Sequence, residues 1–341
     1  MIATAEELVK LTAAPVEIKW HSALPIFASE PFLKTVGKQY GWLGGMDASG
    51  RVRCAIPYAI TRVPGFRMAR FRVETMAFEN DLSLEEEESF LASSVEYFRS
   101  IGADMILPAS NTALLRTFPP GTTASPYGTV VNDLAQPEEQ LRSKIHKSCS
   151  YNIRSAQKAG VQIKSGPEYL DTCYQLIAET MKRSGLSFRT RTQFDSMVSG
   201  LGENVRVMVA DLRGVVQGCM IAPFSQHTAY SWYCGTKVAP ARGSMHLLHW
   251  EAMRQFRELG TRRFNFTGVR INPEKGSKQD GIRNFKLSFG GDLVEGYIWR
   301  YPISRLRSAA FSAALYLFEH RGAVRLHLPR RAGSAKPSEE K

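Results

Sequence analysis

The chain says the same thing twice. Asp47-x-x-Gly50-x-Val52 reappears as Asp211-x-x-Gly214-x-Val216, and Phe98-Arg99-x-Ile101-Gly102 reappears as Phe256-Arg257-x-Leu259-Gly260. In each case a hairpin turn comes first and the end of the following long helix comes second. Two matches in the same order and at similar separation indicate an internal duplication, with too few copies for a solenoid. A duplicated chain of 341 residues has room for two similar domains side by side.

The pattern within each copy is mixed α/β. In the first, Glu30 to Lys38 reads as a helix, Trp42 to Asp47 and Val52 to Thr61 as strands joined by Asp47-Ala48-Ser49-Gly50, and Glu85 to Ile101 as a helix with acidic residues in its first turn. Gly102 ends that helix, and Asp104 to Leu107 reads as a strand. In the second copy Glu168 to Ser184 is helical, with Leu170, Cys173, Tyr174, Ile177 and Met181 on one face. Strands follow at Val205 to Ala210, Val215 to Pro223 and Ala229 to Cys234. Ser244 to Leu259 is a helix facing inward through Met245, Leu248, Ala252, Phe256 and Leu259, and Arg263 to Phe266 is a strand.

Composition removes several classes. Hydrophobic and charged contents of 43% and 22% belong to a globular chain. No stretch approaches the ~20 apolar residues that span a bilayer, and the first twenty residues lack the n- and h-regions of a signal peptide, so the expected location is cytoplasmic. Five scattered cysteines without a C-x-x-C pair argue against a disulfide framework or a zinc site. His246 and His249, three apart on the long helix, have no acidic or cysteine neighbour in sequence, so no metal is expected there. A net charge of +12 favours phosphate-bearing partners or an anionic membrane surface.

Two segments narrow the function. Leu141 to Gly160 reads as a helix that buries Ile145, Cys149, Ile153 and Ala156 and presents Lys147, Tyr151, Arg154 and Lys158 together. That stripe is either a solvated surface or a grip on phosphates. In the second, Gly281-Ile282-Arg283-Asn284-Phe285-Lys286-x-x-Phe289-Gly290-Gly291 follows a polar loop. Phe285 and Phe289, four apart, anchor a helical turn and hold Lys286 at its rim. Spacing alone leaves Lys286 either a stem lying over apolar surface or a site residue.

Together these segments resemble the Fem family, FemABX-like peptidoglycan aminoacyltransferases. Asn152-Ile153-Arg154-Ser155-Ala156 with Gly160-Val161 matches the family's basic helix, and Phe285-Lys286-Leu287-Ser288-Phe289-Gly290-Gly291 its closing motif. The likeness runs from about Gly128 to Tyr301, and is one of organisation alone before that.

The resemblance implies two tandem GCN5-related N-acyltransferase (GNAT) domains. The first would be 1–133, with 302–331 packing back on it. The second, carrying the site, would be 134–301, and 332–341 would form a disordered tail. No sustained heptads mark a coiled-coil arm. The implied reaction moves an aminoacyl group from aminoacyl-tRNA to an amine of a phosphate-bearing peptidoglycan or envelope precursor, without a cofactor. Lys286 would supply positive charge to the oxyanion or to the leaving oxygen. Lys38, Arg154, Arg189 and Arg191 would hold acceptor phosphates, Tyr233 would line the cleft, and Asn265, Arg283 and Phe285 would complete the substrate site. Relatives carry Asp-Phe-Gly-Gly where this chain has Asn265-Phe266-Thr267-Gly268, so a charge is replaced by an amide.

The rival is an acyl-CoA-dependent N-acyltransferase acting on an amino sugar or amino acid. Its pyrophosphate loop needs a Q/R-x-x-G-x-G/A spacing that Val238 to Ser244 lacks. A non-catalytic binding protein is the third reading. Ser304 is expected to cap a last helix through His320, apolar from Phe311 to Phe318 and flanked by Arg305, Arg307, Arg321, Arg325, Arg330 and Arg331. It either packs on the first domain or docks peripherally on an anionic membrane.

Overall fold

The computed structural model describes residues 10–63, 65–78 and 82–320. The strands are β1 (Thr12–Val16), β2 (Gln39–Met46), β3 (Val52–Val63), β4 (Phe66–Phe71), β5 (Met76–Ala77), β6 (Met105–Ile106) and β7 (Thr123–Asp133), then β8 (Gln162–Ser165), β9 (Val205–Leu212), β10 (Val215–Pro223), β11 (Ala229–Tyr230), β12 (Tyr233–Thr236), β13 (Arg263–Val269) and β14 (Asp292–Pro302). The α-helices are α1 (Glu30–Val36), α2 (Leu84–Ser100), α3 (Glu138–Lys144), α4 (Lys147–Lys158), α5 (Leu170–Arg183), α6 (Arg191–Ser199), α7 (Ser244–Glu258), α8 (Lys278–Leu287) and α9 (Arg305–His320).

Both copies of the repeat build the same device. Asp47 Oδ1 accepts the backbone N–H of Ser49 and Arg51, and Gly50 takes a φ of 81°. Asp211 Oδ1 accepts the N–H of Gly214, where φ is 82°. Arg213, at φ 52°, precedes it, and two left-handed residues in succession match the twist of the flanking strands β9 and β10. The long helices close alike, on Gly102 (φ 74°) and Gly260 (φ 77°).

α2 starts in a reciprocal cap: Ser83 Oγ accepts the Glu86 N–H while the Glu86 carboxylate accepts the Ser83 N–H. It buries Phe90, Leu91, Val95 and Phe98 against Leu43, Ile56, Phe71 and Trp299. Each such side chain contributes roughly 2 kcal/mol of apolar burial. α7 does the same with Leu248, Ala252, Met253 and Phe256 against Met208, Met220, Phe264 and Phe266. Leu259, expected inward, is 47% exposed because it is the C-cap residue and has left the helical period.

One sheet spans both halves in the order β1-β2-β3-β4-β6-β14-β7-β13-β11, with β5 on β3. β7 falls before the boundary expected at 133, yet all its ladder partners are β13 and β14. β14 also pairs β6 through Tyr301–Ile106 and Pro302–Met105. A second sheet, β12-β10-β9-β8, belongs to the later half. This is a mixed α/β fold with a tandem arrangement.

Several boundaries differ from expectation. The single helix read over Leu141–Gly160 is two, broken at Ile145, where ψ turns extended and His146 donates to the Ser288 carbonyl. α1 stops at Val36, and the strand read at Asp104–Leu107 shrinks to β6. In the last helix, Phe311 packs edge-on against Phe66, 5.2 Å away, with Met68 and Met105 nearby, and Arg307 binds Asp104. Arg307 N–H also donates to Ser304 Oγ, the expected cap. The arginines from 321 on and the tail from 332 lie outside the described residues. Among the described residues no helix is long and apolar enough to cross a membrane.

Candidate functional site

The segment read as one strand from Ala229 to Cys234 is split, and the split makes the site. β11 pairs parallel with β13 at Phe264 and Asn265, and Ser231 N–H makes a last bond to the Asn265 carbonyl. At Trp232 the chain changes sheets, so that β12 pairs antiparallel with β10. Beyond Ser231, β13 runs on with β7 alone, and a wedge opens between β12 and β13.

β13 is itself distorted at this point. Asn265 and Gly268 face Val131 and Thr129 of β7, so the strand carries one extra residue, and Thr267 takes a φ of 60°. Asn265 holds the bulge in place: its Oδ1 accepts the Thr267 N–H and the Thr129 hydroxyl, each at 2.6 Å. The amide oxygen is thus committed to backbone geometry, where the sequence suggested a substrate contact. Gly268 is required here because an added Cβ would sit 2.2 Å from the Tyr127 hydroxyl.

Lys286 reaches into the bulge from α8. Its Nζ donates to the carbonyls of Thr267 (3.2 Å) and Gly268 (2.9 Å). The ammonium is therefore drawn inward rather than held at a rim, and burial pushes its pKa down to about 8. Phe285 sets this direction. Its ring packs on His246 (4.8 Å), His249 (5.2 Å) and Phe289 (5.3 Å), so it anchors α8 instead of standing free in the wedge. Ser277 caps α8, and Lys278 Nζ donates to Ser184 Oγ at the end of α5. Arg283, one turn before Lys286, is half-buried with an Nε that lacks a hydrogen-bond partner.

Below the wedge lies a polar cluster that sequence spacing concealed. His249 Nδ1 is 2.8 Å from the Met245 carbonyl, to which it donates, leaving Nε2 to accept from Ser231 Oγ at 3.1 Å. Cys234 Sγ stands 3.8 Å from the same Nε2. His249 is buried against Phe266 and lowered to about 3, mainly by desolvation, and Cys234 is raised to about 11 for the same reason. Both are neutral in the folded protein, which makes this pair a satisfied support under the wedge and not an activated nucleophile.

The other wall carries Tyr233, whose hydroxyl accepts from Arg189 Nε at 3.3 Å and whose ring lies against Trp232 and Phe188. The other two arginines expected to hold phosphates, Arg191 and Arg154, stand elsewhere. Arg191, at the exposed start of α6, is bound to Asp195 of the same helix at 2.7 Å and to Asp171 of α5. Arg154 is exposed on the outer face of α4, and Lys38 is exposed just past α1. No group of three or more metal-ligating side chains stands together among the described residues.

The start of α7 is crowded by α4. Arg242 Nε donates to Asn152 Oδ1 (3.1 Å), its guanidinium lies 4.8 Å from the Tyr151 ring centre, and Asn152 Nδ2 is 3.5 Å from His246 Nε2. Gly243 (φ 78°) sits so close that an added Cβ would be 1.9 Å from the Asn152 carbonyl oxygen.

A family model described as an acetyltransferase (GNAT) domain matches residues 143–286, the stretch that contains this wedge. The solved structure of FemX superposes with a TM-score of 0.62 at 14% identity, covering 83% of this chain and 94% of that one. The C-terminal domain of a putative lysylphosphatidylglycerol synthetase from Agrobacterium fabrum gives 0.47 at 16%, over 84% and 90%. A tandem GNAT protein from the clavulanic acid biosynthesis pathway gives 0.42 at 14%, over 78% and 83%. No curated protein matches the chain. The FemX likeness fixes the fold as tandem GNAT-like, and at such identity it carries no chemistry.

Proposed function

We propose that this GNAT-fold, acyltransferase-like chain moves an aminoacyl group from aminoacyl-tRNA to an amine of a phosphate-bearing peptidoglycan or related envelope precursor. The observation that carries the reading is Lys286, an ammonium withdrawn from water at a strand bulge inside the wedge. Two of its three N–H groups hold the carbonyls of Thr267 and Gly268, leaving the third for a substrate oxygen. The amine attacks the ester carbonyl, a C–N bond forms, the C–O bond to ribose breaks, and a proton passes to the departing ribose oxygen. An aminoacyl ester is already activated, so positioning and one well-placed positive charge suffice. A pKa near 8 also lets Lys286 supply that proton close to neutral pH.

The choice of donor is supported at α7. A thioester donor with a pyrophosphate would use the backbone N–H groups of its first turn, and here α4 packs against that turn through Asn152 and Tyr151. Purified protein would be given radiolabelled aminoacyl-tRNA and acetyl-CoA in parallel, with an amine-bearing precursor. Transfer from the aminoacyl-tRNA is expected. Transfer from acetyl-CoA alone would overturn the reading, and so would tight precursor binding without turnover from either donor.

A further inference from the structure

We infer that the outward face of α4, with Arg242 from the loop before α7, is a docking surface for a single-stranded end of RNA. The inference rests on the transferase reading for why that RNA would carry an aminoacyl group.

α4 buries Cys149, Ile153 and Ala156 in the core of the later half. The opposite face therefore carries Lys147, Tyr151, Arg154 and Lys158 in one row, and all four are exposed. The row runs along about 16 Å of helix. The helix contains no aspartate or glutamate. Among the described residues no carboxylate pairs with its cations or with Arg242. Arginines on neighbouring helices are answered: Arg183 by Glu179, Arg191 by Asp171 and Asp195, Arg254 by Glu138 and Glu251. The positive charge of α4 is left for a partner to meet.

Tyr151 makes the row more than a cationic strip. It is 52% exposed, and the Arg242 guanidinium lies 4.8 Å from its ring centre, fixed there by the bond from Nε to Asn152 Oδ1. A guanidinium held on a half-exposed ring makes a flat cationic platform, on which an unpaired base stacks. Lys147, Arg154 and Lys158 flank the ring along the helix and would neutralise the phosphates on either side. The row is also firmly seated. An added Cβ on Gly243 would stand 1.9 Å from the Asn152 carbonyl oxygen, and one on Gly290 2.4 Å from that of Lys144, so α4 is pressed against the start of α7 and the segment after α8. From Asn152, next to Tyr151, contact passes to His246 at 3.5 Å and from that ring to Phe285 at 4.8 Å, the neighbour of Lys286. The platform thus adjoins the helix that carries the lysine of the wedge.

The exposed aromatic selects the form of the partner. In a duplex the bases are already stacked, and recognition goes through phosphates and sugar hydroxyls, for which Tyr151 would be superfluous. An anionic membrane would call for aliphatic side chains among the cations, and the row has none.

Fluorescence anisotropy of a labelled RNA hairpin with a short unpaired 3′ tail, titrated with the full chain across a salt series, tests the surface. Saturable binding is expected, weaker when the tail is removed. Tyr151→Ala should weaken it roughly fivefold or more, and Tyr151→Phe, which keeps the ring, should restore it. Lys147→Gln, Arg154→Gln and Lys158→Gln combined should flatten the slope of log Kd against log salt by about 2. All four side chains are exposed, so folding is not at stake, and the remote Arg99→Gln should leave binding unchanged. The surface is refuted by equal affinity for tailed and tailless hairpins, by unchanged binding in the α4 variants, or by binding of phosphatidylglycerol vesicles and no RNA. Tail-dependent RNA binding without aminoacyl transfer would remove the transferase reading and leave the surface. Transfer with an unchanged KM for aminoacyl-tRNA in the α4 variants would do the reverse.

Discussion

A lysine that gives up hydration to sit on two carbonyl oxygens has a charge that depends on pH near neutrality. Lys286, lowered to about 8, lies below the roughly 10.4 of a lysine in an unfolded chain. Between these values the unfolded chain binds more protons, so the cost of burying Lys286 is relieved and stability rises as pH climbs from about 8 to about 10.4. Activity that needs the ammonium moves the opposite way and should fall as pH rises through about 8. Lys286→Arg, which keeps its charge, should abolish that descending limb, and Lys286→Met should lower kcat by about 100-fold or more. A pH profile of kcat/KM with a limb unchanged in the arginine variant would exclude Lys286 as its source. The closing motif exposed Phe285 and Lys286 to sequence reading because anchor and lysine are neighbours in the chain. Ser231, Cys234 and His249 were not legible as a cluster, since nothing in Ala229-Tyr230-Ser231-Trp232-Tyr233-Cys234 punctuates the change of sheet.

Elements here are positioned by what surrounds their ends. Gly50 and Gly243 both hold a left-handed conformation, but nothing lies within 4 Å of a Cβ built on Gly50, whereas Asn152 blocks one on Gly243. Gly50→Ala should cost about 1–2 kcal/mol, the price of the backbone conformation alone. Gly243→Ala should add roughly 1–3 kcal/mol of overpacking, because α4 must shift from the first turn of α7. Urea denaturation of the pair would measure the difference, and equal losses would mean that α4 does not press on α7. The repeat motifs made the hairpins and long helices readable, since glycine and aspartate act locally there. The break at Ile145 was invisible because the apolar spacing of Leu141, Ile145, Cys149 and Ile153 continues through it, and only the tertiary bond from His146 to Ser288 reveals it.

At the scale of the whole molecule, acid should be the weak side. His249 is lowered to about 3 and His227 to about 4, chiefly by burial, against 6.5 for an exposed histidine. Both are neutral in the fold, so below pH 6.5 the unfolded chain takes up protons that the folded one refuses, and stability falls with pH. Each contributes a slope of at most about 1.4 kcal/mol per pH unit. Thermal unfolding between pH 7 and 5 should show a falling Tm, flattened in His249→Phe if that ring is one of the groups responsible. An unchanged slope in the variant would remove His249 from the account.

The strand β7 gives its edges to β13 and β14, and β14 also reaches β6. A chain that began by repeating itself has thereby surrendered the autonomy of its parts. Cutting it after residue 133 would leave the later fragment with bare strand edges, open to pairing with any other chain. Because one sheet runs through both halves, the two form a single object whose parts are made, kept and discarded together.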